Sequence, residues 1–205
     1  MKKILTVCIF SALILSVISC GKNKIPIETI AWEPDGEGFR QFKTNDIQYC
    51  EGAQWYYRED SYASSLSVIE TKVKKVSGYE NAGMGIVFGF QDHNNFYVFV
   101  INVNGEYAVF TRVDSIWSTI IDWPTSDSII QGYNVVNTLK VTCDDPSDTF
   151  SLYINDDLVD SFTDSNFSDG STGYECYIGD EYSDEIFPDE AADFRFKQTL
   201  PLSDP

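Results

Sequence analysis

Apolar and polar residues alternate with a period of two through most of this chain. Over residues 67–76, Ile69, Thr71 and Val73 fall on one side and Glu70, Lys72 and Lys74 on the other, which predicts a strand with one wet face. Runs at 85–91, 95–103 and 106–113 follow, each bounded by turn residues. The first two are apolar on both faces. Ile86, Phe88 and Phe90 are expected to meet Phe96, Val98 and Val100 across the QDHNN turn, while Tyr97, Phe99 and Ile101 face the other way. Such a hairpin belongs at the centre of the fold, covered on both sides. Trp117 to Trp123 (WSTIIDW) is another short run, ended by Pro124. Leu139, Val141 and Cys143 alternate with Lys140 and Thr142, and Phe150, Leu152 and Ile154 lead to Asn155-Asp156, a tight-turn pair, with a return strand from Leu158. Residues 173–179 and 192–197 supply two more strand candidates, whereas 31–62 is irregular and rich in aromatics. No window holds a helical period over three turns. Short strands without intervening helices predict an all-β, two-sheet antiparallel sandwich or barrel.

The N-terminus breaks this pattern. Lys2 and Lys3 precede an apolar run from Ile4 to Ile18, too short for a comfortable membrane span and flanked as a secretory signal is. Val17-Ile18-Ser19-Cys20 resembles a bacterial lipobox, which implies cleavage before Cys20 and lipidation of its thiol. The expected organisation is a signal peptide at 1–19, a lipidated tether at 20–30 and one β-sandwich domain over 31–205. The mature chain would then be held on a membrane by lipid, in the bacterial cell envelope, with no transmembrane span of its own.

Charge narrows the partners. The chain carries 32 acids against 14 bases, and losing Lys2 and Lys3 moves the net charge from -18 to -20 (32 against 12). That excludes nucleic acid as a natural partner, disfavours docking on anionic lipid and leaves divalent cations open. Cys50, Cys143 and Cys176 accompany Cys20 in the mature body. One oxidised pair with one cysteine left over, in any of three pairings, and buried free thiols are both compatible with that count.

Once the strands are laid out, the order of residues resembles the concanavalin A-like lectin/glucanase superfamily. The likeness is carried by Gly85-Ile86-Val87-Phe88-Gly89-Phe90, Asp92, Asn95-Phe96-Tyr97-Val98-Phe99, Gly105-Glu106-Tyr107 and Trp117. It continues in Asn137-Thr138-Leu139-Lys140-Val141, Tyr153-Ile154-Asn155, Asp164, Gly170, Gly173 and Asp193-Phe194-Arg195-Phe196. Laminin-G-like jelly rolls and the domains labelled 3-keto-disaccharide hydrolase are the nearer likeness. The resemblance spans about residues 64–197 and implies a jelly roll, an architecture that hosts lectins, hydrolases and adhesion modules alike.

Candidate chemistry is sparse. Glucanases of this superfamily set a Glu-x-Asp-x-(x)-Glu signature on one strand, so that carboxylates share a sheet face. Glu175 with Asp180, Glu181 with Asp184 and Glu185 with Asp189 miss that spacing, and the adjacent acids at 59–60 and 189–190 would point to opposite faces. The retaining-glucanase reading is set aside on that ground. His93, the single imidazole, sits in the QDHNN turn, and neither a zinc cluster nor a phosphate-binding glycine loop is present. Asp164, Asn166 and Asp169 alternate in a loop as calcium ligands do, although Asp169 stands where an EF-hand loop needs glycine. Sugar rings stack on aromatic platforms beside hydrogen-bonding side chains. Tyr107, Arg112, Trp117 and Trp123 are the candidate ligand-binding residues, with Trp117 and Trp123 expected on one face of an extended run. The reading is a non-catalytic glycan-binding or adhesion lipoprotein. The alternatives are a glycoside-acting hydrolase of the 3-keto-disaccharide type and a structural or protein-binding surface lipoprotein.

Overall fold

The computed structural model describes residues 33–34, 40–43, 55–63, 68–144, 147–177, 193–196 and 200–201, and all of the elements are strands. They are β1 (Glu33–Pro34), β2 (Arg40–Lys43), β3 (Trp55–Ala63), β4 (Val68–Ser77), β5 (Gly83–Asp92), β6 (Asn95–Ile101) and β7 (Tyr107–Val113). The chain continues with β8 (Ile116–Ile121), β9 (Asn137–Asp144), β10 (Thr149–Ile154), β11 (Asp157–Thr163), β12 (Gly170–Tyr177), β13 (Asp193–Phe196) and β14 (Leu200–Pro201). Among the described residues they form two antiparallel sheets. One runs β1-β2-β13-β4-β9-β10-β11, with β14 also paired to β4, and the other runs β3-β12-β5-β6-β7-β8.

The two sheets meet through the alternating apolar positions. Ile69 and Val73 of β4, Leu139 and Val141 of β9, and Phe150, Leu152 and Ile154 of β10 pack against Met84, Ile86, Phe88, Tyr97, Phe99, Ile101, Tyr107 and Val109. Phe150 is the main bridge between the sheets: its ring lies 5.6 Å from Phe88, 5.3 Å from Tyr97 and 4.9 Å from Phe162, the last pair stacked. The tight turn after β10 is as the sequence predicts, with Asn155 and Asp156 both in the left-handed region at φ 51° and 72°. Asn155 also works at long range. Its Nδ2 donates to the Ser128 carbonyl (2.8 Å) and to Asn137 Oδ1 (2.7 Å), and buried Asn137 closes a pair of hydrogen bonds with the backbone of Ile130. Two of the residues that carry the family likeness are thus a buried amide brace for the 126–136 loop.

Two expectations are corrected. Ile86 pairs with Phe99 and Phe88 with Tyr97, so Ile86 and Phe88 face the inter-sheet core with Tyr97, Phe99 and Ile101, not with Phe96, Val98 and Val100. The cause is a register shift between Phe88 and Asp92, where Gly89 takes φ 59°; it slips Phe90 to the opposite side, beside Phe96. The stretch read as irregular at 31–62 contains β1, β2 and β3. β3 (WYYREDSYA) pairs along its whole length with β12, and its Arg-Glu-Asp run hides the period-two signal.

The pairing of β5 with β6 leaves no room above Gly85, where an added Cβ would stand 1.8 Å from the Phe99 carbonyl oxygen. Gly85→Ala is therefore expected to lower stability by about 3 kcal/mol, read as a reduced midpoint in urea unfolding with an unchanged m-value.

Candidate functional site

Side chains of β5 to β8 that point away from the core build a second, smaller cluster on the outward face of the six-stranded sheet. Val87, Phe90, Phe96, Val98, Val100 and Ala108 are its buried members, and Phe110, Trp117 and Trp123 pack against it while partly exposed. Trp117 meets Phe96 edge to face at 5.4 Å, and Trp123 meets Phe110 at 6.1 Å. Arg112 lies over the Trp117 ring with its guanidinium carbon 5.5 Å from the centroid. One of its terminal nitrogens donates to the His93 carbonyl at 2.7 Å, and its Nε is buried without a hydrogen-bond acceptor.

Two hairpin turns support this end of the sheet. Asp92 Oδ1 accepts from the Asn94 N–H (2.7 Å) and Asn95 Nδ2 (3.0 Å), a self-bonded Asx turn. Asn95 Oδ1 accepts from the Asp114 N–H (3.0 Å), and the Ser115 hydroxyl donates to Asn94 Oδ1 (2.8 Å), so the β5–β6 and β7–β8 turns hold each other. His93 presents its ring edge-on to Phe90 at 5.7 Å. Across the sheet, Glu175 of β12 is fully buried and stands opposite Gly85. Burial pushes the Arg112 guanidinium below its ordinary value, and the Glu175 and Asp92 carboxylates pull it back up.

Three of the four sequence-selected ligand residues come together here. Arg112 is outward-facing as expected. Trp117 and Trp123 share that face, but not through an unbroken run: the β7–β8 register shifts between Thr119 and Ile121, and Trp123 lies beyond the strand with φ 48°. Its indole lies across the sheet, 3.1 Å from where a Cβ on Gly83 would be. Tyr107 is on the other side of the sheet. It is 5% exposed within the inter-sheet core, and its hydroxyl is 3.3 Å from both the Val159 carbonyl and Asp160 Oδ2. Glu175 went unmarked in the sequence because its significance comes from cross-strand neighbours.

The calcium candidates serve the fold directly. Asp164 Oδ1 accepts from the Tyr97 hydroxyl (2.8 Å), the Asn166 N–H (2.9 Å) and Asn166 Nδ2 (2.7 Å), while Asp169 accepts from Gln91 through its carbonyl (2.7 Å) and its Oδ1 (3.0 Å). Among the described residues no group of three or more His, Cys, Asp or Glu side chains is placed to share a metal ion. Cys20 and Cys50 lie outside the described residues; Cys143 is on β9 and Cys176 on β12, in different sheets. No helix among the described residues is long and apolar enough to cross a membrane.

One stretch does carry the glucanase spacing that the C-terminal acids miss: Glu33-Pro34-Asp35-Gly36-Glu37. The reading that set the glucanase aside is incomplete to that extent. Glu33 is on β1, the short edge strand of the eight-stranded sheet, so it belongs to the sheet opposite Arg112 and Trp117, and 35–37 lie outside the described residues.

No protein-family model and no curated protein sequence matches the chain. Solved structures do. The carbohydrate-binding module CBM66 from Bacillus subtilis matches with a TM-score of 0.52 at 19% identity, over 78% of this chain and 84% of that one. The Bacillus licheniformis β-glucanase matches with a TM-score of 0.52 at 8% identity, over 79% and 77%. The fold is a concanavalin A-like jelly roll.

The buried Tyr97 hydroxyl gives the molecule an alkaline limit. Desolvation, reinforced by the bond to Asp164 and that carboxylate's charge, holds its pKa far above the ordinary tyrosine value. A raised folded-state pKa contributes stability that is fully present below the unfolded value, about 10, and is lost as pH rises beyond it. Unfolding free energy is expected to fall above about pH 10, and Tyr97→Phe to flatten that fall, measured by urea titrations from pH 8 to 11.5.

Proposed function

We propose that this chain is a non-catalytic glycan-binding or adhesion module held on a bacterial envelope by lipid on Cys20. The observation that carries the reading is the pairing of half-buried Trp117 with Arg112 on the outward sheet face, 5.5 Å from guanidinium carbon to ring centroid. An indole edge offers an apolar surface to the C–H face of a sugar, and a guanidinium with an unused Nε–H beside it donates to a hydroxyl. Phe110 and Trp123 extend the aromatic surface. Glu175 and Asp92 near Arg112 offset its charge, which suits a neutral glycan better than an acidic one. The match to a protein described as a carbohydrate-binding module is consistent with this use of the fold. The lipobox-like Val17-Ile18-Ser19-Cys20 supports the anchor.

A second reading, a glycoside-acting hydrolase, rests on the Glu33, Asp35 and Glu37 spacing. Turnover of a 3-keto-glucoside that disappears in Glu33→Gln or Glu37→Gln would establish it. Calcium is not required by either reading. A rise in Tm with millimolar calcium, absent from Asp169→Asn, would show that the 164–170 loop takes the ion.

The leading proposal is tested by placing the full chain, purified in detergent, on an array of envelope, plant and host glycans. Binding to at least one glycan class is expected, weakened about tenfold or more by Trp117→Ala and by Arg112→Ala with Tm checked for each. Wild-type protein that binds no glycan, or variants that bind unchanged, would sink it.

A further inference from the structure

The two sheets end in four edge strands, and three of them are protected against pairing with another chain. β1 is two residues long and contains Pro34, which has no N–H to donate. β3 carries Arg58, Glu59 and Asp60 at its middle. β11 has Asp157 and Asp160, and Asp160 is its central residue, so two copies of that edge would bring like charges face to face. The fourth edge is different. β8 reads Ile-Trp-Ser-Thr-Ile-Ile, six residues of high strand propensity with no charge, no proline and no glycine. It pairs with β7 on one side and is last in the order of its sheet. Ile116 is 69% exposed, and Ser118 and Thr119 are exposed as well.

We propose that β8 is a homodimer interface, in which two copies pair their β8 edges antiparallel about a two-fold axis. The occupant is a second copy because of charge. Each chain carries a net charge of -18, so two copies repel over most approaches, and an uncharged edge is where they can meet. A two-fold axis perpendicular to the sheet keeps residues of one face opposite one another. With the axis at Ser118, Trp117 stands across from the second copy's Thr119 and Ile116 from its Ile120, both favourable cross-strand pairings. Asp114 and Asp122 bracket the strand, and the register shift after Thr119 bends it away. Pairing is confined to the centre of β8, and it strengthens when salt screens the acidic chains. Because each copy uses its one uncharged edge, the assembly closes at two. This inference does not depend on the glycan reading.

Ser118→Cys tests it directly. Directly opposed residues of an antiparallel pair have Cα atoms about 4.5–5.5 Å apart, which fits the separation a disulfide needs. The full chain in detergent, treated with diamide, is expected to give a covalent dimer in Ser118→Cys well above the level of the parent, whose own cysteines set the background. Leu158→Cys, on the exposed β11 edge, should stay at that background. Sedimentation of the uncrosslinked chain should give twice the protomer mass, more completely at 0.5 M than at 0.05 M salt, and Ser118→Lys should raise the dimer Kd at least tenfold. A protomer mass at every salt concentration, equal cross-linking in Leu158→Cys, or growth beyond dimers would overturn the proposal.

Discussion

Everything outward on the six-stranded sheet depends on how the two sheets are locked together, and the lock is aromatic. Phe150 reaches from β10 to touch Phe88 and Tyr97, and Tyr97 also meets Phe162 at 5.9 Å and Phe167 at 5.1 Å. Once Phe88 and Tyr97 are committed to that cluster, the pleat leaves Val87, Phe96 and Val98 no choice but the opposite face. The outward cluster, with Trp117 and Arg112 on it, follows from which rings the core has taken. The hydrogen bond from the Tyr97 hydroxyl to Asp164 ties the same ring to the 164–167 loop, so the core ring and the rim loop act as one unit.

Polar groups that go deep into this fold do so to fix backbone. Lys75 is fully buried, and its ammonium donates to the carbonyls of Tyr79 and, at 3.1 Å, Ala82, holding the turn between β4 and β5. Asn102 accepts from the N–H groups of Asn104 and Glu106 and donates to the Glu106 carboxylate, which closes the β6–β7 turn. Asn137 does the same for the 126–136 loop. Residues that read as a family signature in the sequence are in this sense chiefly turn and loop braces. That is why the likeness was a good guide to the fold and a poor one to activity.

The alternation in β4, β9 and β10 made those strands and their buried faces legible, because each is wet on one side and dry on the other. The β5–β6 hairpin was legible as a central element but not in its facing. With apolar residues on both sides, the period carries no information about which side is the core, and a single glycine bulge at Gly89 decides it. β3 was missed because a charged run interrupts its aromatics, and its pairing with β12 is a contact between residues more than a hundred positions apart. Of the site, the outward facing of Arg112 and the shared face of Trp117 and Trp123 could be read from parity. The core position of Tyr107 was on the other side of that same parity, and its polar hydroxyl disguised it as a surface group.

The edge argument and the face argument concern the same strand. β8 brings Trp117 to the outward face by its side chain and offers its backbone to a second chain by its free edge. A two-fold axis perpendicular to the sheet turns neither copy over, so the two outward faces would lie on the same side of a continuous sheet, with the two Trp117–Arg112 pairs as neighbours across the seam. A repeating polymer contacting both would gain from a raised effective concentration without any new contact within a protomer. Weak stacking on one half-buried tryptophan is a poor basis for adhesion, whereas two such sites held on one rigid sheet are a better one. In that arrangement the uncharged composition of β8, unusual in so acidic a chain, has a physical purpose.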